Sequence, residues 1–75
     1  MSEAYFKWFR DNWYKTGGLI QPARAGEMVG LSRARITQIW NEQKMTIYKY
    51  KNKKPFIGWK DFLDFKTQRE SNKDV

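Results

Sequence analysis

The sequence has no cysteine and no histidine among its 75 residues. The chain therefore lacks disulfides and thiolate metal sites, and it lacks the side chain that most often serves as metal ligand and general base. No apolar run approaches the length of a membrane span, and the N-terminus has no signal-peptide core. Neither a nucleophile–base pair nor a glycine-rich phosphate loop is evident. We therefore expect a soluble, cytoplasmic protein that is not an enzyme and needs no cofactor or metal.

Basic residues outnumber acidic ones, and the excess is confined to the middle of the chain. Fifteen lysines and arginines against eight acids give a net charge of +7. The segment 22–60 holds nine basic and two acidic residues, whereas the rest of the chain holds six of each, so the whole net charge lies in this segment. A protein charged only for solubility would spread its charge. The asymmetry predicts a polyanionic partner.

Residues 22–43 follow the pattern of two helices joined by a tight turn. Ala25 and Gly26 are small where a second helix would cross closely, and Gly30 can adopt the positive φ that ends a helix. Ser32 is a favourable N-cap for the second helix. That helix has an apolar face at helical spacing, formed by Ile36, Ile39 and Trp40. The pattern is typical of a helix-turn-helix, although any tight helical hairpin shares it.

The second of these helices, predicted over 33–43, carries its polar side chains opposite the apolar face. Together with Ala34 on the same face, they are of types that can read or tolerate base edges in duplex DNA, and we take these residues as candidate base contacts: Arg33, Ala34, Thr37, Gln38 and Asn41. Arg33 and Arg35 lie in the first turn, where the helix dipole disfavours cations by roughly a few tenths of a kcal/mol. This favours a functional role, with ordinary surface arginines as the alternative. Arg35 projects more sideways and is assigned to phosphate.

Residues 46–59 change to a β pattern. Thr46–Tyr50 is rich in β-branched and aromatic residues, Lys51–Pro55 is turn material, and Phe56–Trp59 can return as a second strand. Four lysines lie near the tip of this predicted hairpin: Lys49, Lys51, Lys53 and Lys54. Two strands alone are marginal, so the hairpin must pack on the helices. It is typical of a wing that contacts the phosphate backbone or the minor groove; a solvated loop whose lysines block edge pairing is the alternative.

An aromatic helix is predicted before this unit and a shorter helix after it. The first, over 3–15 with Ser2 as N-cap, carries six aromatic residues in the ten from Tyr5 to Tyr14. The simplest interpretation is that their stripe packs on the helix-turn-helix and completes the core; a dimer interface and a base-stacking platform are the alternatives. The last helix, over 60–70, is expected to turn Phe62, Leu63 and Phe65 inward. Residues 71–75 are predicted to form a disordered tail.

These segments together resemble the excisionase and MerR-like winged helix-turn-helix family. The resemblance rests on the run Gly30–Ile36, on Trp40, on the short hairpin and on Asp61–Phe65, and it covers about residues 20–66. Two features depart from the family pattern: the aromatic N-terminal helix, and Gln43 in place of the glycine common after the recognition helix. The resemblance implies binding of double-stranded DNA in bacteria or phage, close to the nucleoid. Position by position it supports Ser32, Arg33, Arg35, Thr37, Gln38, Lys51 and Lys53.

We therefore expect a mostly α protein with a small β-hairpin, organised as a winged helix-turn-helix with an additional N-terminal aromatic helix. The expected function is sequence-specific binding of duplex DNA, as a transcriptional regulator or excisionase-type architectural factor without a small-molecule effector. One helix and one wing cover a small site, so useful affinity should need a homodimer or cooperative neighbours on repeated sites. The alternative is a protein-interaction module that docks through the basic face or the aromatic helix. RNA binding is a weaker alternative, because the sequence lacks the motifs of the common RNA-binding modules.

Overall fold

The computed structural model describes residues 2–73, which form four helices and three short strands. In chain order these are α1 (Glu3–Thr16), β1 (Leu19–Ile20), α2 (Pro22–Val29), α3 (Arg33–Glu42), β2 (Ile47–Tyr48), β3 (Phe56–Gly58) and α4 (Trp59–Lys73). The protein is thus mostly helical with one small antiparallel sheet, as the sequence predicts. Ser2 caps α1, because its hydroxyl accepts a hydrogen bond from the Tyr5 backbone N–H at 3.3 Å.

The sheet has one strand more than the predicted hairpin. Strand β3 lies in the centre and pairs antiparallel with β2 on one side and with β1 on the other. Ile57 faces Ile47 in one pair and Ile20 in the other. A two-residue strand has no alternation to detect, so Leu19 and Ile20 are recognisable as strand only through their partner. The third strand matters because an isolated two-stranded ribbon is marginal in water.

The core lies between the helix pair α2–α3, the sheet and α4. Its buried residues come from these elements: Ile20, Ala25, Ile36, Ile39, Trp40, Ile57, Phe62 and Phe65. The ring centroids of Trp40 and Phe65 are 5.3 Å apart in an edge-on arrangement, and Trp40 is fully buried. Leu63, which is predicted to face inward, is instead 41% exposed. A helix turns about 100° per residue, so Phe62 and Phe65 share one face while Leu63 is rotated away from it.

The turn between α2 and α3 is as tight as the small residues predict. Gly30 takes φ +74°, and its N–H donates to the Gly26 carbonyl. The Leu31 N–H donates to the same oxygen at 2.8 Å, which brings the turn back over Gly26. A Cβ at Gly26 would overlap the Leu31 carbonyl oxygen. The Ser32 hydroxyl then accepts from the Arg35 N–H at 3.1 Å and caps α3, as predicted.

Helix α1 packs on the hairpin rather than on the helix pair, which corrects the simplest interpretation of its aromatic stripe. Tyr5 and Trp8 each lie 5.6 Å from the Tyr50 ring, and Phe9 lies 5.5 Å from the Phe56 ring, between centroids. No residue of α1 belongs to the core cluster that the described residues form. The reason is that Trp40, Phe62 and their neighbours already fill the core, whereas Tyr50 and Phe56 leave an aromatic surface uncovered.

Helix α4 continues through Lys73, beyond the predicted end at residue 70. The predicted disordered tail is therefore wrong for residues 71–73, while residues 74–75 lie outside the part of the chain that is described. The segment 60–73 contains no glycine or proline to stop the helix. An i,i+4 ion pair between Lys66 Nζ and Glu70 Oε1, at 3.2 Å, also supports its last turns.

Candidate nucleic-acid interface

The outer face of α3 gathers the candidate base contacts. All five line one shallow hollow together with Glu42: Arg33, Ala34, Thr37, Gln38 and Asn41. Thr37 is half-buried and the other four are exposed. Thr37 also bonds back along the helix, its hydroxyl donating to the Arg33 carbonyl at 3.0 Å, so its methyl group is the part available to a partner. Helical periodicity alone places these residues together.

Arg35 lies beside this face rather than on it. Its Nη1 donates to Gln38 Oε1 at 3.1 Å, and Gln38 Nε2 donates in turn to Glu42 Oε1 at 3.1 Å. The amide of Gln38 is therefore oriented by a basic neighbour on one side and an acidic neighbour on the other. Ser32, at the start of the helix, has its hydroxyl oxygen engaged as the cap, although the side chain is exposed. Its contribution to a partner is thus the positioning of the Arg33–Arg35 turn.

A second groove joins α3 to the hairpin. It is lined by the start of α2, by the first residue of α3 and by the end of the hairpin loop, namely Gln21, Pro22, Ala23, Arg33, Lys54 and Pro55. Arg33 borders both this groove and the hollow on α3. The fold thereby connects the polar face of α3 and one lysine of the hairpin into a continuous surface whose junction carries two positive charges.

The other hairpin lysines are directed elsewhere. Lys53 Nζ lies 5.9 Å from the centroid of the Tyr5 ring on α1, and Lys51 Nζ lies 5.4 Å from the centroid of the Tyr50 ring. Both distances suit a cation–π contact. Lys49 is exposed on the hairpin, and no contact places it beside α3. Of the four predicted wing lysines, Lys54 therefore lines the groove that Arg33 borders, whereas Lys51 and Lys53 lie near aromatic rings.

Lys51 has an unusual backbone conformation in the hairpin loop. Its φ is +49°, in the left-handed region where a residue with a side chain is disfavoured. The neighbouring Asn52 would tolerate that conformation better. The loop begins its turn at this point, and the Lys53 N–H donates to the Tyr50 carbonyl at 2.9 Å to close it. Lys44, which follows α3, has a similar φ of +56°, so the conformation is not particular to the hairpin loop.

Two features of this region are not among the sequence-based predictions: the place of Glu42 in the α3 hollow and the contact of α1 with the hairpin. Glu42 is an acid on an otherwise neutral or basic face, and its spacing of four from Gln38 was enough to place it there. The contact between α1 and the hairpin had no comparable signal, because it joins residues 45 positions apart, such as Tyr5 and Tyr50.

Among residues 2–73, no helix combines the length and the apolar character needed to cross a membrane. The same part of the chain contains no group of three or more histidine, cysteine, aspartate or glutamate side chains placed to hold a metal ion. Comparison of the chain with models of protein families, with curated proteins and with solved structures finds no match in any of the three. We therefore infer the function from the geometry of the candidate site.

Proposed function

We propose that this protein is a winged helix-turn-helix protein that binds double-stranded DNA in a sequence-specific manner. In this proposal α3 enters the major groove, and β2, β3 and their loop form a wing on the phosphate backbone. The protein then acts as a transcriptional regulator or as an excisionase-type architectural factor. The single observation that carries the proposal is Arg33, which borders both the polar hollow of α3 and the groove that ends at Lys54.

The chemistry of the α3 face suits a major groove. The groove is about 12 Å wide and admits a helix. Exposed amides at Gln38 and Asn41 suit adenine, and the Ala34 and Thr37 methyl groups suit thymine. Arg33 at the N-terminal end can pair with guanine or, together with Lys54, contact a phosphate beside it. Base contacts thus lie along the helix, with the positive charges at the end nearest the wing.

The hairpin supports the proposal through its charge. Its loop presents four lysines. Phosphate contacts of this kind depend on counterion release, so their number appears as the salt dependence of binding. If about five basic residues meet phosphates, log K should fall against log salt concentration with a slope of about −4 to −5.

A protein-interaction module is the second candidate, and one observation favours it. Three large aromatic side chains of α1 remain exposed after α1 has packed on the hairpin: Phe6 at 54%, Trp13 at 44% and Tyr14 at 77%. Exposed aromatic groups are common at protein–protein interfaces. They lie on a different element from the basic face of α3, so protein docking and DNA binding use separate residues and can be tested separately.

The experiment that tests DNA binding is fluorescence anisotropy with a randomised duplex at low and at high salt, followed by selection of the bound sequences. Salt-sensitive binding with an enriched motif is the expected result. Salt-sensitive binding without enrichment would indicate a backbone-only architectural protein. No binding at low salt would refute the DNA proposal and direct attention to the aromatic surface of α1.

Two sets of variants separate base contacts from phosphate contacts. Arg33→Ala should relax the sequence preference and cost roughly 1–3 kcal/mol on the selected site if Arg33 pairs with guanine. Replacing Lys53 and Lys54 together with glutamine should weaken binding to all sequences alike and flatten the salt slope by about 2. Lys7→Gln with Lys66→Gln, on α1 and α4, is the charge-matched control and should leave the slope unchanged. Equal effects of the Arg33 and the double lysine variants on every sequence would refute this division of roles.

A further inference from the structure

Glu42 is the only acid among the six residues that line the hollow on α3. It is also one of only two acids in the segment 22–60. A carboxylate on a surface that meets DNA repels the phosphates, so general affinity does not explain its presence. Helix stability explains it only in part, because Glu42 accepts an i,i+4 hydrogen bond from Gln38 but ends α3, where the helix dipole disfavours an anion.

The charges of α3 are in fact arranged against its dipole at both ends. Arg33 and Arg35 lie in the first turn, no acid lies there, and no basic residue lies in the last turn. A helix tuned for its own stability would have acids first and bases last. The arrangement therefore gives α3 a polarity of its own, positive beside the hairpin and negative at the far end. Nine residues at about 1.5 Å each separate Arg33 from Glu42 by about 13 Å, or about four base pairs.

The carboxylate is held in place by its neighbours. Arg35 Nη1 donates to Gln38 Oε1, and Gln38 Nε2 donates to Glu42 Oε1, each at 3.1 Å. This chain of bonds orients three exposed side chains before any partner arrives. A carboxylate offers about four acceptor positions, so the bond from Gln38 leaves Glu42 able to accept from a further donor.

In the major groove, donors of that kind are limited to two bases. Cytosine presents its N4 amino group and adenine its N6 amino group, whereas guanine and thymine present acceptors that repel a carboxylate. Adenine places its N7 acceptor beside the amino group, so its edge is partly repulsive as well. Cytosine N4 is therefore the edge that best matches Glu42.

We infer that Glu42 is a specificity-determining residue that selects a cytosine at the end of the site farthest from the wing and weakens binding to duplexes without one. The inference rests on the proposed DNA-binding function and extends it. Discrimination at that base pair should be about 5- to 150-fold, which is the range of a good side-chain–base pair. Binding to unrelated duplexes should be weaker than it would be without the carboxylate.

The test compares Glu42→Gln with Glu70→Gln, which removes the same charge from α4. Glu70 pairs with Lys66 and borders a groove with Met28 and Val29, away from the α3 hollow. Binding is measured by anisotropy on three duplexes: the selected site, the site with the cytosine pair changed, and an unrelated sequence. Circular dichroism and thermal melting establish that both variants are folded.

Glu42→Gln should weaken binding to the selected site and strengthen binding to the unrelated duplex. It should also shift the preference at the cytosine position towards adenine, which glutamine pairs with. Glu70→Gln should leave all preferences unchanged. The decisive result is that the affinities for the two duplexes change in opposite directions. A change in net charge or in folding would change both affinities in the same direction.

Two results would overturn the inference while leaving DNA binding intact. One is an equal gain by Glu42→Gln on selected and unrelated duplexes. The other is a selected motif in which no cytosine pair responds to Glu42→Gln. Absence of wild-type binding to any duplex at low salt would instead refute the proposed function on which the inference depends.

Discussion

Replacing Gly26 with alanine tests the close packing of the α2–α3 turn, because two effects of the change have opposite signs. Alanine is favoured over glycine inside a helix by about 1 kcal/mol. Helix propensity alone therefore predicts that Gly26→Ala stabilises the protein. In the structure, however, the added Cβ would overlap the Leu31 carbonyl oxygen and lie 3.2 Å from the Leu31 carbonyl carbon.

The magnitude follows from what can move. The atoms in the way belong to the backbone, and the Leu31 N–H is bonded to the Gly26 carbonyl at 2.8 Å. Moving the turn away would therefore stretch that bond, at about 1 kcal/mol, in addition to overpacking of about 1–3 kcal/mol. After subtracting the propensity gain, we expect Gly26→Ala to lower the free energy of unfolding by about 2 kcal/mol. For a domain of this size that is a fall in Tm of about 8–16 °C.

Urea and thermal unfolding followed by far-UV circular dichroism measure this change. Ala23→Gly is the matched control, because Ala23 lies on the exposed surface of the same helix. Because Ala23 is in the first turn of α2 rather than in its middle, the variant should lose no more than about 0.5–1 kcal/mol through propensity. A Gly26→Ala variant as stable as the wild-type protein, or more stable, would refute the close approach of the turn to α2.

Two further predictions concern α1. Trp8→Ala removes ring contacts to Tyr50 and Phe56, at centroid distances of 5.6 and 6.4 Å. It should lower the free energy of opening of the hairpin by about 1–3 kcal/mol, so that amide hydrogen exchange accelerates more in the hairpin than in α3. Equal acceleration in both elements would contradict the prediction. Thr16→Val removes a buried hydroxyl that donates a hydrogen bond to the Gly18 carbonyl oxygen at 2.7 Å. Thermal melting should show that the free energy of unfolding falls by about 1–3 kcal/mol. An unchanged Tm would contradict the prediction.

The proposed DNA-binding surface and the aromatic contacts of α1 meet at Lys53. This lysine lies over the Tyr5 ring, in the loop that also supplies Lys54 to the α3 groove. Helix α1 therefore contacts the same loop that supplies Lys54 to the groove beside Arg33. This contact gives the aromatic stripe a role that requires neither a dimer nor base stacking, although the exposed aromatic side chains of α1 keep a protein partner open to test.

Local signals in the sequence were sufficient for most of the secondary structure. The N-caps at Ser2 and Ser32, the left-handed Gly30 and the apolar spacing of α3 depend on residues within four positions of one another. Interactions at that range are encoded directly in the chain, since helix geometry alone brings the groups together. The same periodicity gathered the five candidate base contacts on one face of α3.

Errors arose where the outcome depended on a distant partner. β1 is a strand only because β3 pairs with it, and Leu63 is exposed because α4 presents Phe62 and Phe65 to the core. The aromatic stripe of α1 has an obvious need for burial, but the sequence does not say which surface covers it. Within residues 2–73, the packed core contains no residue of α1, so the stripe is covered by the hairpin instead. Which surfaces a packed core leaves uncovered is a property of the assembled fold.

The same distinction holds for the proposed DNA-binding surface. Charge segregation in 22–60 and the polar face of α3 are properties of the chain, because they depend only on residue type and helical spacing. The groove that Arg33 and Lys54 both line, and the contact of Lys53 with the Tyr5 ring, involve residues that are 21 and 48 positions apart. These residues become neighbours only after the hairpin has folded back on the helices. The packing of side chains, and not the order of residues in the chain, decides which distant groups lie close together.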